Sequence, residues 1–292
     1  MDREYNYCAQ IEENNFNRLF KKAIREIDKF GVWTNPRGLF CKEVIAPQLI
    51  LTDPSKCIVT LKNRKLNYAY LIIEKFSYLS QISIPETLIA YNSKMRSYLN
   101  QETGNFDGAY GLRIAKNKQL EYCYKQLLAD KDSRQAVITI NDYTDRRESL
   151  DKPCTISLQF LMRNGKLDMV VNMRSNDLLW GFCLDVPAFC FLQQVMAYWL
   201  GVEVGYYIHQ PASFHYYKEF EEKIFGYLKD EELNDETLPE WDIPFENTLD
   251  ALMKFWEQER QIRETTTFDR TGYETIDAYL DRLFDYWLNK RI

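Results

Sequence analysis

Histidine is scarce in this 292-residue chain, which holds two, His209 and His215. Cysteine numbers seven, an odd count with no Cys-x-x-Cys pair, and together the two tallies argue against a zinc site and against a disulfide framework. Cysteine here serves packing or chemistry. No run approaches the ~20 apolar residues of a membrane span. The opening MDREYNYCAQ lacks the charged-then-apolar layout of a secretory signal. The sequence therefore predicts a cytoplasmic protein with no membrane partner. A basic excess is missing as well: 37 Lys and Arg stand against 43 Asp and Glu, a net charge of −6. That balance gives no footprint for a nucleic-acid polymer, although a few local arginines suffice to hold one anionic metabolite. Low-complexity runs and flexible linkers are absent. With 46% hydrophobic residues, the chain predicts a single domain over 1–292 with a full core.

Periodicity supplies the elements. Residues 11–30 place Phe16, Leu19, Phe20, Ala23, Ile24 and Ile27 at helical spacing. A turn follows at Asn35-Pro36-Arg37-Gly38. Residues 65–80 are apolar on almost every face except at Glu74 and Lys75, which predicts a buried helix carrying a conspicuous glutamate. The runs 136–140, 155–163 and 166–173 are rich in β-branched and apolar residues, and Asn164-Gly165 between the last two predicts a hairpin with a type I′ turn. Asp185-Val186-Pro187 reads as the start of an apolar helix to about Leu200, with Asp185 as N-cap and Gly201 after the end. A strand is expected at 202–209. The stretch 220–241 is acidic and interrupted, and two helices at roughly 246–262 and 273–290 form a C-terminal extension over 246–292.

One cysteine sits in a pattern. Cys154 follows Pro153 at the entry to the hairpin and is followed by Arg174-Ser175-Asn176-Asp177, Trp180-Gly181, Asp185 and His215-Tyr216-Tyr217. Alone, Cys154 is as well explained by packing. These residues at these offsets resemble the thymidylate synthase family. Its signature is a Pro-Cys nucleophile, Arg-Ser-x-Asp twenty residues on, a glycine, a base-reading residue, and His-x-Tyr some sixty residues past the cysteine. The match spans about 65–217. The resemblance implies an α/β (α+β) fold with a large mixed or antiparallel sheet flanked by helices, one sheet face forming a homodimer interface. It also implies 5,10-methylenetetrahydrofolate as cosubstrate, a nucleoside monophosphate as substrate and no metal.

Chemistry supports the residue types. C5 of a pyrimidine is a poor nucleophile, and a thiolate adding at C6 turns the ring into an enamine whose C5 can attack. Arg174 near Cys154 would favour the thiolate and, with Ser175, anchor phosphate. By resemblance, Glu74 is the proton-relay glutamate, its pKa raised by burial, and Tyr110-Gly111 matches a Tyr-Gly near the nucleophile. Asp177, Trp180 and Gly181 fall on the folate side, and His215 and Tyr217 at the sugar 3′-hydroxyl. Asp132-Ser133-Arg134 resembles the segment that lends arginine to phosphate across the dimer, although Gln135 replaces the usual second arginine. Arg37 stands where the family places a mobile phosphate arginine.

Asp185 replaces the family's usual asparagine. An asparagine amide accepts from uracil N3–H and donates to O4, whereas a carboxylate accepts from the cytosine amino group and cannot donate. The run VVNMRSNDLLWGF resembles the deoxycytidylate hydroxymethylase branch. That branch implies hydroxymethylation of dCMP or CMP. Thr155 after the cysteine, and MRSYLN at 95–100 in place of the methylases' tryptophans, agree with a pocket open to water. A methylase acting on dUMP or dCMP is the alternative, and an inactive nucleotide-binding homologue a further one. The family's C-terminal closing tail has no recognisable counterpart here.

Overall fold

The first described element is an edge strand rather than the start of a helix: β1 (Gln10–Glu13) precedes α1 (Phe16–Phe30). Asn15 separates them, its side chain accepting from the N–H groups of Asn17 at 2.8 Å and Arg18 at 3.3 Å, which fixes the helix start there. The computed structural model describes residues 10–146, 148–233 and 237–291. The remainder of the opening segment and positions 234–236 of the acidic stretch lie outside the described residues. After α1 come β2 (Val32–Thr34), β3 (Cys41–Ile45) and β4 (Gln48–Leu51). Next are α2 (Tyr68–Leu79), α3 (Pro85–Tyr91), α4 (Tyr110–Ala115) and α5 (Gln119–Ala129). The strands β5 (Val137–Thr139), β6 (Thr155–Arg163), β7 (Lys166–Met173) and β8 (Asn176–Asp177) lead into α6 (Gly181–Leu200). β9 (Glu203–Pro211), β10 (Ser213–Tyr217), α7 (Glu221–Gly226), α8 (Thr248–Thr265) and α9 (Glu274–Arg291) complete the chain.

The strands form two sheets. The larger has the order β1-β4-β9-β7-β6-β5, and the smaller β2-β3-β10-β8. β6 and β7 are antiparallel across Asn164 (φ 51°) and Gly165 (φ 75°), the two positive φ values that a type I′ turn requires. β7 and β9 are parallel and joined through α6, which lies on the sheet as the crossover. Gln193 of α6, fully buried, pins that packing by donating to the carbonyls of Leu167 at 2.8 Å and Tyr206 at 3.0 Å. Beyond Pro211 the chain passes through Ala212 from the large sheet into the small one, so His209 and His215 sit on one continuous run in different sheets.

Two expectations change here. α6 begins at Gly181, so Asp185 and Pro187 lie inside the helix and Asp185 is not its N-cap. The first turn is capped instead by Asp177, whose carboxylate accepts from the N–H groups of Leu179, Trp180 and Gly181 at 3.0, 2.7 and 2.8 Å. In addition, α6 is long and apolar enough to cross a membrane, contrary to the reading of the sequence. About 67% of its apolar window is buried within the fold, which is how a core helix behaves.

α8 and α9 pack on each other, and α9 packs on α2. Phe255 stacks on Phe76 with centroids 3.8 Å apart, and Trp256 donates to Ser80 Oγ at 2.7 Å. Lys75, fully buried, holds its ammonium 3.9 Å from the centre of the Tyr279 ring and 4.6 Å from that of Phe191.

Candidate active site

The hairpin, α2, α4 and α6 converge on a cavity of about 190 Å³ whose walls include Cys154, Glu74, Tyr110 and Asp185. Cys154 stands immediately before β6, and the β6 register shifts between Thr155 and Ser157, a bulge that re-aims the chain next to the thiol. The Cys154 carbonyl accepts from the Arg174 N–H at 2.8 Å, tying the two segments together. Tyr110 Oη accepts from the Thr155 N–H at 3.1 Å. Gly111 lets the start of α4 come close to the end of α2, since a Cβ there would stand 2.1 Å from the Ile82 carbonyl oxygen and 2.6 Å from that of Ser77.

Glu74 faces the cavity from α2. Tyr70, one turn before it, donates to its Oε1 at 2.9 Å, and Tyr78, one turn after, also bonds the carboxylate. Burial raises its pKa to about 7, the two hydroxyls opposing the shift without cancelling it. Sequence reasoning missed both tyrosines, although their i−4 and i+4 spacing about Glu74 was visible.

The thiol departs from expectation. Burial pushes the Cys154 pKa up, and the charge of Arg174 lowers it less than burial raises it, while Asp185 adds to the rise. Arg174 explains this: its guanidinium donates to the carbonyls of Pro153 and Lys152 and to Ser175 Oγ, each at 3.0 Å. Ser175 Oγ lies 3.8 Å from Cys154 Sγ.

Asp185 projects into the same cavity from the second turn of α6. Burial holds its carboxyl well above the usual range, Glu74 adds to that, and a hydrogen bond from Asn176 Nδ2 at 2.7 Å opposes it. Asn176, almost fully buried, was not singled out in the sequence, and its place inside the Arg-Ser-Asn-Asp run was its one visible signal.

The other predicted residues do not line the cavity. β8 pairs in parallel with β10, setting Asp177 opposite His215 and Asn176 opposite Phe214. His215 is almost buried, its pKa lowered by burial, and its ring meets Tyr217 edge-on at 5.2 Å. Arg37 is exposed, with a left-handed φ of 54°, and its charge reaches Tyr217. Trp180, 40% exposed, has Lys94, Arg64 and Lys223 at 4.8, 5.6 and 5.8 Å from its ring centre. Arg134 is exposed and is not brought to the cavity within this chain.

The family model described as thymidylate synthase matches residues 18–277. The chain is similar to the deoxyuridylate hydroxymethyltransferase of Bacillus phage SP01, 34% identical over 217 residues, 68% of this chain and 56% of that protein. A protein of the same name from Delftia phage PhiW-14 is 31% identical over 196 residues, 62% of this chain and 55% of that one. The chain thus spans somewhat more than half the length of these curated relatives. In fold it is similar to the thermostable thymidylate synthase A from Bacillus subtilis, with a TM-score of 0.69 at 21% identity over 81% of this chain and 91% of that one. The family match, reaching from within α1 into α9, takes in every residue of the cavity described above, and the chain belongs to the thymidylate synthase family.

Proposed function

We propose that this chain transfers a one-carbon unit from 5,10-methylenetetrahydrofolate to C5 of a cytidine monophosphate, dCMP or CMP, leaving a 5-hydroxymethyl group. The observation that carries the reading is the convergence of a cysteine, a glutamate and an aspartate on one cavity. Cys154 Sγ adds to C6 of the base as its proton leaves, and C5 thereby becomes nucleophilic. Because burial disfavours the thiolate, Cys154 reacts best once substrate phosphate draws Arg174 off the Pro153 and Lys152 carbonyls toward the site. The folate, when bound, supplies the carbon at the oxidation level of formaldehyde. Glu74, with a pKa of about 7, is suited to both receiving and returning a proton near neutrality. It removes the C5 proton as the bond between the transferred carbon and the folate nitrogen breaks and tetrahydrofolate leaves, and it positions the water whose hydroxyl adds to that carbon; the C6–S bond then breaks, restoring the C5–C6 double bond and releasing Cys154.

Residues outside the cavity wall complete this reading. The Trp180 ring, with three cations around it, suits a folate, whose pterin is planar and whose glutamate tail carries carboxylates, and Gly181 follows it at the start of α6. Arg174 and Ser175 hold phosphate, Arg37 adds a cation, and His215 and Tyr217 meet the sugar. A homodimer in which Arg134 of the partner subunit completes the phosphate site is part of the proposal.

Uracil is the second reading, favoured by two observations. Two relatives carry deoxyuridylate in their names. Asp185 is held above the usual carboxylate range, and a protonated carboxyl offers one donor and one acceptor, as an asparagine amide does. The deciding experiment offers dCMP, CMP and dUMP with methylenetetrahydrofolate and weighs the products. A hydroxymethylated cytidylate supports the proposal and a hydroxymethylated uridylate the second reading. Dihydrofolate absorbance growing with turnover would reveal methylation and overturn both. Asp185→Asn is expected to move preference toward dUMP.

A further inference from the structure

Behind Asp185 runs a buried chain of polar groups that the chemistry above does not use. Asn176 Nδ2 donates to Asp185 Oδ2 at 2.7 Å. Asn176 Oδ1 lies 3.1 Å from His209 Nε2, and His209 Nδ1 lies 3.0 Å from the Tyr207 hydroxyl. Tyr207 and His209 are fully buried and Asn176 is 3% exposed, so none of the three can exchange its partner for water. His209 stays neutral, because burial holds its pKa down at about 3.

The polarity of this chain is fixed from both ends. A phenol donates readily and accepts weakly, so Tyr207 O–H is directed at His209 Nδ1. The single ring proton of His209 then resides on Nε2 and points at the carbonyl oxygen of Asn176. That leaves the Asn176 NH2 aimed at Asp185. Reversing the amide would set its carbonyl against a carboxylate oxygen and its NH2 against an N–H, two repulsive contacts in a dry interior.

Gly181 makes the approach possible. A Cβ built there would stand 2.6 Å from Asn176 Nδ2 and 3.3 Å from Asp185 Oδ2, so any side chain at 181 would wedge the pair apart. The β8–β10 pairing sets the other end, holding Asn176 opposite Phe214 five residues beyond His209 on the same run of chain.

We propose that Tyr207, His209 and Asn176 are a positioning relay that keeps an N–H donor on Asp185 Oδ2, fixing Asp185 as a hydrogen-bond acceptor toward the 4-position of the base and thereby setting cytosine above uracil. The inference rests on the reading of Asp185 as the base-recognising residue. Without the donor, Asp185 retains its proton more readily and presents the asparagine-like pattern that suits uracil.

The test measures dissociation constants of dCMP and dUMP for the full chain by calorimetry, and the ratio of kcat/KM for the two nucleotides, with melting temperature recorded separately. Asn176→Leu removes the donor at similar volume and is expected to lower the preference for dCMP over dUMP by about ten- to a hundredfold, the size of a hydrogen bond to a charged group. His209→Phe, which frees the amide to reverse, is expected to act in the same direction. Tyr207→Phe deletes one hydroxyl, keeps the packing, and is expected to shift the ratio a few-fold, so it serves if the larger changes fail to fold. In an Asp185→Asn background the same substitutions are expected to leave the ratio within twofold, as a residue acting through Asp185 must. A ratio that responds to Asp185→Asn and not to the relay variants overturns the relay alone. A ratio indifferent to Asp185→Asn overturns the relay together with the base-reading role of Asp185. A loss of melting temperature without a change of ratio assigns the three residues to packing and overturns the proposal.

Discussion

Glu74 and Lys75 are neighbours on α2, and the fold treats their charges in opposite ways. Glu74 turns to the cavity, where two tyrosine hydroxyls bond a carboxylate whose pKa burial has raised to about 7. Lys75 turns the other way, fully buried against the rings of Tyr279 and Phe191 from α9 and α6. One charge is tuned so that its proton can come and go; the other is held against aromatic faces that favour the cation. Through Lys75 and Phe76, α8 and α9 pack on α2 away from the cavity that Glu74 faces.

The largest effect that would break this division concerns activity. Glu74→Gln is expected to lower kcat for the proposed one-carbon transfer about a hundred- to ten-thousandfold while the fold persists, as steady-state rates and circular dichroism would show. Activity retained by this variant would place the proton relay elsewhere. Next comes Lys75→Ala, expected to cost about 3 kcal/mol in urea unfolding through the emptied volume and the lost ring contacts, with kcat/KM of the folded fraction within a few-fold of wild type. A selective loss of kcat in that variant would merge the two faces into one functional unit.

A smaller effect concerns pH. Folded Glu74 has a pKa of about 7 against an ordinary 4.5, so between these values the folded chain keeps a proton that the unfolded chain has released. The contribution of this group to stability is therefore full below about pH 4.5 and is lost as pH rises through 7. Glu74→Gln is expected to be more stable than wild type at pH 8, on the order of 3 kcal/mol, and equal to it near pH 4. The smallest effect is at the helix start. Asn67 accepts from the Tyr70 N–H at 3.1 Å and donates to the Tyr91 carbonyl at 2.9 Å, so Asn67→Ala is expected to cost about 1 kcal/mol with little change in activity.

Local signals in the sequence were read well where one physical cause dominated. Asn164-Gly165 demanded its turn, and the apolar stripe of α1 is buried residue for residue. The start of α6 was misplaced because Asp185 and Pro187 look like a cap and a first-turn proline, while the carboxylate that caps the helix, Asp177, had been read for another role. The burial of Lys75 is not legible in the sequence, because the aromatic rings that enclose it come from residues about 115 and 200 positions away. Resemblance to the family made Cys154, Glu74, Tyr110 and Asp185 candidates, and one cavity gathers all four. The link from Asn176 to His209 was not legible, since it depends on a strand that leaves one sheet for another.

That passage from β9 into β10 has a spectroscopic consequence. It carries both histidines of the chain into the interior, where burial shifts their titration downward. The His209 ring resonances should therefore stay still between pH 6.5 and 8, and those of His215 should titrate lower than a free imidazole's. Carboxyl-labelled glutamate should move, with Glu74 giving the signal that titrates near 7. A protein whose two histidines titrate below their ordinary range leaves a carboxylate as the group whose proton exchange is centred near neutrality.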